Sequence, residues 1–600
     1  MKIKVSNFIS KYLVEHGINT TFMVTGGGAM HLDDAFGHEK GMKCVFNHHE
    51  QACSMAAEGY YRYSGKMAAA LVTSGPGGTN AITGVMGAYL DSIPMIVFSG
   101  QVKFETTIHS CEELNLRQLG DQEFDITGSV KNMTKYAVFV KDKNEILYHL
   151  EKAIYLAMNG RRGPVWLDIP LDVQGAEIDD SNLKHFEPEK EKVGFVDKKI
   201  DKKVFEEILS KIYSAKAPLI IAGTAIRYAD AYKDFIKLVN KLKIPVVTEW
   251  NANDTLPYDS KYLVGMPSIF GTRSGNFAVQ NSDLLLVLGS RLNIRMIGYN
   301  KFDFGKNAYK IVVDIDEKEL NKPTIKVDYK VNADLKTFLE GINEVEYETN
   351  LIHEKFLNFC IAVKNKYPVV QEKFRNDRSK LNPYVFFDRL YDYLDSNDRI
   401  VCANGSCCVS NLQAAKIKDG QRMFVNSGCA SMGYGLPAAI GVATFDNSYR
   451  TIHLDGDGSI MMNLQEFATV RGNNFNIKTF IVNNNGYLSI RQTQRNNFKP
   501  PFIGIDKDSG VWFPDFKKLA DAFSIRYECI RTEEEFDNKI RDILSGNEPI
   551  IVEVVVDSDQ NFEPKAASKV LPDGSIISPT IDDMAPFLSK EEYESNHYKV

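Results

Sequence analysis

The sequence predicts an α/β protein made of three doubly wound parallel-sheet domains. Three observations lead there. Short apolar, partly β-branched runs alternate with helical segments along the chain, as parallel sheets require. Several of these runs end in glycine or a polar residue where a helix begins, which is where open α/β sheets bind ligands. Two polar or helical stretches also divide the chain into three blocks, in keeping with 600 residues at roughly 100–200 per domain.

The first block, residues 1–175, opens on MKIKVSNFISKYLVEHGI, where Val5, Phe8, Ile9, Tyr12 and Leu13 share one helical face. This start lacks the continuous apolar core and small-residue cleavage site of a signal peptide. MVTGGGAMHLDDAF (Met23–Phe36) reads as strand, glycine turn and helix, with Gly27 in the turn. FNHHEQACSMAAEGYYRYSG (Phe46–Gly65) puts Glu50 at a strand-to-helix junction, behind His48 and His49. LVTSGPGGTNAITGVMGAYLDSIPMIVFSGQV (Leu71–Val102) repeats the strand–turn–helix order, with Pro76 and Asn80 after the glycine turn. The block ends at GPVWLDIPLDV (Gly163–Val173), and a Lys-, Glu- and Asp-rich stretch from Glu177 to Lys203 reads as a linker.

The second block, residues 190–350, carries PLIIAGTAI (Pro218–Ile226), IPVVTEW (Ile244–Trp250), SDLLLVLGSR (Ser282–Arg291) and YKIVVDID (Tyr309–Asp316), all buried-strand patterns. Near Asn350 the chain turns helical, as a second linker. The third block, residues 370–562, ends around VEVVVDSD (Val552–Asp559). A tail, 563–600, contains a hairpin or loop at Pro572-Asp573-Gly574 and is expected to pack over the active-site side.

The most informative run is GDGSIMMNLQEFATVRGNNFNIKTFIVNNNGY, Gly456–Tyr487. It follows a strand, Thr451–Asp455, and reads as a helix, Leu464–Arg471, and a second strand, Lys478–Asn483. Polar ligands stand at both carboxyl strand ends. Asp457 and Asn484 would converge across adjacent parallel strands, and their oxygens suit Mg²⁺, a hard cation that also takes phosphate oxygens. Gly456 and Gly458 let the backbone approach a diphosphate. Asp455, Asp457, Ser459 and Glu466 also imitate a calcium loop, but Ile460 stands where that loop needs glycine, and strands flank the run where helices are required.

Composition excludes several classes. A net charge of −7 without a basic stripe argues against nucleic-acid binding. No apolar run approaches the ~20 residues that span a bilayer. Nine scattered cysteines, without metal-ligand spacing, read as free thiols of a reducing cytoplasm.

GPGGTN followed by a helix and DSIPMIVFSGQ, together with the GDG run, resembles the thiamine diphosphate (ThDP) enzymes in their acetolactate-synthase branch, across Met1 to about Ser558. The resemblance implies a pyrimidine-binding, a middle and a diphosphate-binding domain. It places the cofactor between the first domain of one chain and the third of another, in a homodimer or homotetramer. Glu50 matches the catalytic glutamate, which hydrogen-bonds the pyrimidine ring nitrogen; alone, it would read as a solvated acid favouring a helix dipole. NSGCASMGYGLPAAIG (Asn426–Gly441) matches the segment beneath the bent cofactor, with Met432 as the apolar wedge and the Ala430 carbonyl as an acceptor. Outside this segment a methionine is more often plain core packing.

Asn404, Gly405 and Ser406 occupy the first diphosphate turn, where acetolactate synthases have Gln-His in place of Ser406-Cys407. Gly27, Pro76, Asn80, Gly456, Gly458, Ser459, Tyr487 and Leu488 complete the implied cofactor contacts, and Asp457, Asn484 and the Gly486 carbonyl are the implied Mg²⁺ ligands.

The implied reaction removes CO₂ from a 2-oxo acid, most simply pyruvate, and transfers the two-carbon unit to a carbonyl acceptor. The chain departs from acetolactate synthase in the acceptor pocket. Thr493 stands where that family has tryptophan, Ser489 lies near its methionine position, and Asp121 replaces a phenylalanine beside the matching Gln122. With one of His48 and His49, taken as His49, lining the pocket, the acceptor is expected to be polar and sugar-like. Acetolactate itself, a decarboxylase releasing aldehyde and a cyclic-diketone hydrolase are the competing readings. His109-Ser110 stands where the decarboxylases have a His pair. In the middle block, Gly223, Arg291 and Asp316 sit where the family contacts FAD, which leaves FAD, another nucleotide or no ligand open.

Overall fold

The computed structural model describes residues 2–191, 199–376, 379–570 and 573–599. Residues 192–198 of the expected linker, and Pro572 of the expected hairpin, lie outside the described residues.

Three six-stranded parallel sheets form the molecule. The first holds β1 (Thr20–Met23), β2 (Lys43–Phe46), β3 (Ala69–Val72), β4 (Ile96–Gln101), β5 (Tyr136–Phe139) and β6 (Val165–Pro170), in the order β2-β1-β3-β4-β6-β5. The second holds β7 (Pro218–Ala222), β8 (Val246–Thr248), β9 (Leu263–Gly265), β10 (Leu284–Leu288), β11 (Tyr309–Asp314) and β12 (Tyr329–Asn332), in the order β9-β8-β7-β10-β11-β12. The third holds β13 (Arg399–Cys402), β14 (Arg422–Phe424), β15 (Thr451–Gly456), β16 (Ile477–Asn483), β17 (Arg526–Ile530) and β18 (Ile550–Val555), in the order β14-β13-β15-β16-β18-β17. The first and third sheets therefore share one topology, and the middle sheet has another. The central strands β3, β4, β6, β7 and β10 are buried at every residue, which is why β3, β7 and β10 run apolar without alternation.

Strand order reverses between β1 and β3, between β7 and β10, and between β13 and β15. These are the switch points where doubly wound sheets open a crevice at their carboxyl ends. Five helices bound the crevices: α1 (Glu50–Ser64), α2 (Pro76–Leu90), α3 (Ser406–Ala414), α4 (Gly435–Phe445) and α5 (Leu488–Asn497). α1 and α4 join the two outer domains at backbone contact. A Cβ on Gly59 would lie 2.4 Å from the Ala438 carbonyl oxygen, and one on Gly441 would lie 2.1 Å from that of Ala56, so only glycine permits the crossing. Beside it the fully buried Arg62 holds Glu58 at 2.5 Å and Asp91 at 2.6 Å, and donates to the Tyr228 hydroxyl of the middle domain at 2.8 Å.

The amino-terminal helix spans Val5–Glu15, and of its expected face Val5, Ile9 and Leu13 are fully buried. The helix expected at Leu464–Arg471 is broken into 3₁₀ turns at Ile460–Met462 and Leu464–Glu466 and a helix at Phe467–Gly472. The tail lies along the middle domain: Arg273 and Asn276 donate to the carbonyls of Met584 and Ile581 at 3.2 and 2.7 Å. Its hairpin pairs Lys569–Val570 with Ile576–Ile577. Among the described residues no helix is long and apolar enough to cross a membrane.

Candidate active site

At the third switch point three strand ends converge. β13 leads into Asn404, Gly405 and Ser406, β15 into Gly456–Ser459, and β16 into Asn484 and Gly486. Asn484 Nδ2 donates to Ser406 Oγ at 2.9 Å, which closes the crevice. Cys407, beside it, points into the core instead, so Ser406 is the residue of that pair that faces the site. Asp457 is 2 % exposed. Its Oδ1 accepts from Gly458 N at 3.0 Å and its Oδ2 from Gly486 N at 2.7 Å. Burial nevertheless pushes this carboxyl up to about 7, because the two N–H groups offset only part of the lost hydration. The Asn484 Oδ1 is buried with no hydrogen-bond partner. The Gly486 carbonyl accepts from Leu488 N at 3.0 Å and keeps a second lone pair. Gly458 has no room for a side chain, since a Cβ there would lie 2.3 Å from the Tyr487 ring.

This donor set fits a hard divalent cation. It offers one carboxylate, one amide oxygen and one carbonyl, and no nitrogen or sulfur ligand. The unpartnered Asn484 oxygen supports that fit, because a cation at this crevice would satisfy it.

Beside the crevice runs the segment 426–433. Ala430 takes φ +55°, a conformation disfavoured for a residue with a Cβ. Its N–H donates to both the carbonyl and the side-chain oxygen of Asn426, at 2.8 and 3.0 Å, which holds the turn against that preference. Asn404 Nδ2 donates to the Ser431 carbonyl at 2.8 Å. Met432 is 39 % exposed, so it is not a packed core methionine.

On the first domain Glu50 begins α1, and its Oε2 accepts from Asn80 Nδ2 at 3.0 Å. Pro76 opens α2. The loop carrying Asp121 and Gln122 lies against the same turn: a Cβ on Gly75 would be 2.5 Å from the Gln122 carbonyl. Gln122 has φ +57°, and both Asp121 and Gln122 are exposed. Buried Glu123 pins that loop by accepting from the N–H groups of Leu119 at 2.7 Å, Gly120 at 3.0 Å and Ile108. Gly27 stands exposed in the first glycine turn. His49, expected in the acceptor pocket, is half-buried and also serves the helix. Its Nδ1 accepts from Gln51 N at 3.1 Å and caps α1, while His48 is exposed. No hydrogen bond among the described residues joins Glu50 to Asp457, Asn484 or Met432. On α5, Thr493 is exposed, and its hydroxyl donates to the Ser489 carbonyl one turn back, at 3.0 Å.

The middle switch point holds a cavity of about 300 Å³, with Arg161, Thr224, Gly289, Arg291, Asp314 and Glu319 in its wall. Gly223 sits behind it against the Gly289 carbonyl. Asp316 is not in the wall. It caps the next helix through Lys318 N and pairs with Arg161 at 2.9 Å. Asp314, two residues earlier at the end of β11, is the aspartate in the wall, and burial raises its carboxyl to about 6.

Sequence reasoning missed Asp314, Glu123, Asn463 and Glu466. Glu466 entered it only as the last acid of a rejected calcium loop. The signal was there: a glutamate on the apolar side of a short helix, nine positions past Asp457, is an improbable place for a solvated charge.

Family comparison covers all three domains. Residues 3–126 match the model described as thiamine pyrophosphate enzyme, N-terminal TPP binding domain; residues 205–342 match the central domain; residues 403–554 match the C-terminal TPP binding domain. The acetolactate synthase large subunit of Lactococcus lactis subsp. lactis (strain IL1403) is 30% identical over 570 residues, 93% of this chain and 93% of that protein. The chloroplastic acetolactate synthase of Arabidopsis thaliana is 28% identical over 598 residues, 97% of this chain and 84% of that protein. The probable acetolactate synthase large subunit of Methanococcus aeolicus is 28% identical over 590 residues, 95% of this chain and 94% of that protein.

Proposed function

The chain belongs to the thiamine diphosphate enzyme family, in its acetolactate-synthase-like branch, and we propose that it is a Mg²⁺-dependent carboligase moving a two-carbon unit from a 2-oxo acid to a polar carbonyl acceptor. The observation that carries this reading is the third-sheet crevice, where a buried Asp457 carboxylate stands beside an unpartnered Asn484 oxygen. Asp457, Asn484 Oδ1 and the Gly486 carbonyl would hold the metal against a diphosphate. When bound, thiamine diphosphate supplies the electron sink that lets a 2-oxo acid lose CO₂. The chain's own residues do the rest. Glu50 would hold a proton on a ring nitrogen, the Ala430 carbonyl would accept from an amino group, and Met432 would support the ring system. The surrounding loops orient the reactants and exclude water.

We infer a homodimer as the minimal active unit. Glu50 and Asp457 stand on separate domains, and exposed apolar residues flank both: Leu116, Leu119 and Phe124 on the first, Ile490, Ile503 and Trp512 on the third. A partner chain seated over both sites would cover these residues. Each glutamate would then serve the cofactor on its partner. Nine free cysteines support a reducing compartment such as the cytoplasm.

Thr493 carries the acceptor assignment. It is much smaller than the tryptophan of acetolactate synthases, and after donating to Ser489 its oxygen keeps lone pairs to accept from a hydroxylated acceptor. The relatives' names favour acetolactate as the second reading. Labelled pyruvate incubated with protein, ThDP, Mg²⁺ and a panel of keto-sugars separates the two: mass analysis is expected to find two-carbon adducts of a hydroxylated acceptor, and acetolactate as the main product in every mixture would overturn the proposal. Thr493→Trp should shift selectivity toward small 2-oxo acids by about tenfold or more, since a size mismatch of even one methylene in a pocket is worth about 1–3 kcal/mol of discrimination.

For the middle cavity we propose a diphosphate-bearing nucleotide, with Arg161 and Arg291 toward its phosphates and Asp314 toward ribose hydroxyls. A yellow preparation with flavin absorbance would identify it as FAD; a colourless one whose heat-released ligand is another nucleotide removes FAD.

A further inference from the structure

Glu466 is fully buried, and no cation pairs with it among the described residues. Its Oε1 accepts from His48 N at 2.9 Å, and its Oε2 from Asn47 Nδ2 at 2.9 Å and Thr469 Oγ1 at 2.7 Å. A buried carboxylate held only by neutral donors is a costly device for stability alone. Two of its donors belong to the turn immediately before Glu50, on the other domain of the same chain.

Asn463 makes a second strut. Its Nδ2 donates to Gln51 Oε1 at 2.9 Å and to the Gly433 carbonyl at 2.9 Å. Gln51 follows Glu50, and Gly433 follows Met432. Gly433 N in turn donates to Ser459 Oγ, in the turn after Asp457, at 3.0 Å. One short segment, 459–466, thus touches the Glu50 turn, the Met432 segment and the Asp457 turn of a single chain.

We propose that Glu466 and Asn463 are positioning residues that set the direction of the Glu50 carboxyl, and that in the dimer they tie the cofactor site on each chain to the glutamate that chain lends to its partner. This rests on the assignment of Glu50 to the partner's cofactor. The strut has consequences that a merely structural contact lacks: it lies in the same chain as the affected glutamate and on the opposite chain from the affected cofactor.

The test uses full-length heterodimers purified through two different tags. In one, Glu466→Gln and Asp457→Ala sit on the same chain. The surviving cofactor site is then on the wild-type chain and is served by a Glu50 whose strut is altered. In the other, the two substitutions sit on opposite chains, and the surviving site is served by a glutamate with an intact strut. The first heterodimer should turn over about 10²-fold more slowly than the second, the size of a misplacement transmitted to reacting groups, with KM for pyruvate within about twofold. Equal rates, whether both high or both low, would overturn the proposal. Asn47→Ala, which removes one donor and keeps the glutamate, is the second variant and should show the same contrast at smaller size; it decides the matter if chains with Glu466→Gln fail to fold. A Glu50→Gln homodimer that retains full turnover would instead remove the underlying assignment of Glu50, whatever the heterodimers do.

Discussion

Glu50→Gln is expected to lower decarboxylating turnover by about two to four orders of magnitude, the usual worth of a positioned acid–base group, while the protein stays folded and still takes up cofactor and metal. Glutamine has the same shape, and its amide oxygen can still accept from Asn80, which now bonds Glu50 Oε2 at 3.0 Å. What it cannot do is exchange a proton with a ring nitrogen. The structural loss is small. Glu50 is the first residue of α1, where a negative charge stabilises the helix by about 0.3–1 kcal/mol, and the His49 cap remains. The measurement is turnover of labelled 2-oxo acid beside a thermal unfolding curve and a ThDP titration. A variant with normal binding and normal turnover would show that proton exchange occurs elsewhere; one that no longer binds cofactor would show that Glu50 anchors it and does no more.

Much of this site was legible because its parts are local in sequence. Strand ends, glycine turns and helix starts lie within a few residues of one another, so Asp457, Asn484, Ser406 and Glu50 could be placed at crevice edges before any strand order was known. The order itself was not legible. That the first and third sheets share one topology follows from long-range pairing, which local pattern does not encode. The same reason hid Glu466, whose partners Asn47 and His48 lie 419 and 418 positions away. Asp314 was passed over for a subtler reason. β11 ends at Asp314, and the chain then turns to start a helix that Asp316 caps. Aspartate is as good a cap as a ligand, and two residues decide between them. The cap made by His49 was hidden in a similar way: histidine is an unusual capping residue, so its position before α1 did not suggest that it closes the helix end.

Asp457→Asn is expected to abolish Mg²⁺-dependent cofactor binding and yet to leave the metal-free protein at least as stable as the wild type at pH 8. Burial raises the Asp457 carboxyl from its ordinary 3.8 to about 7. A folded-state value above the unfolded one means that the group's contribution to stability is complete below about pH 4 and is lost as pH rises through about 7, where the folded chain must carry an uncompensated buried charge. A divalent cation removes that penalty. Thermal stabilisation by MgCl₂ with ThDP should therefore be larger at pH 8 than at pH 6. Apparent metal affinity should fall about tenfold per pH unit below 7, because the ion must displace a proton. Asparagine carries no charge at any of these pH values, so the variant's unfolding midpoint should lose this component of pH dependence. Its amide oxygen can still accept from Gly486 N or Gly458 N, but not from both as the carboxylate does. Loss of a ligand to the metal itself should exceed the about 10–100-fold typical of outer-shell partners. Calorimetric titration of Mg²⁺ and ThDP, with unfolding curves at pH 6 and pH 8, checks each part. A variant that is less stable than the metal-free wild type at pH 8 and still shows metal-dependent binding would place the cation away from Asp457.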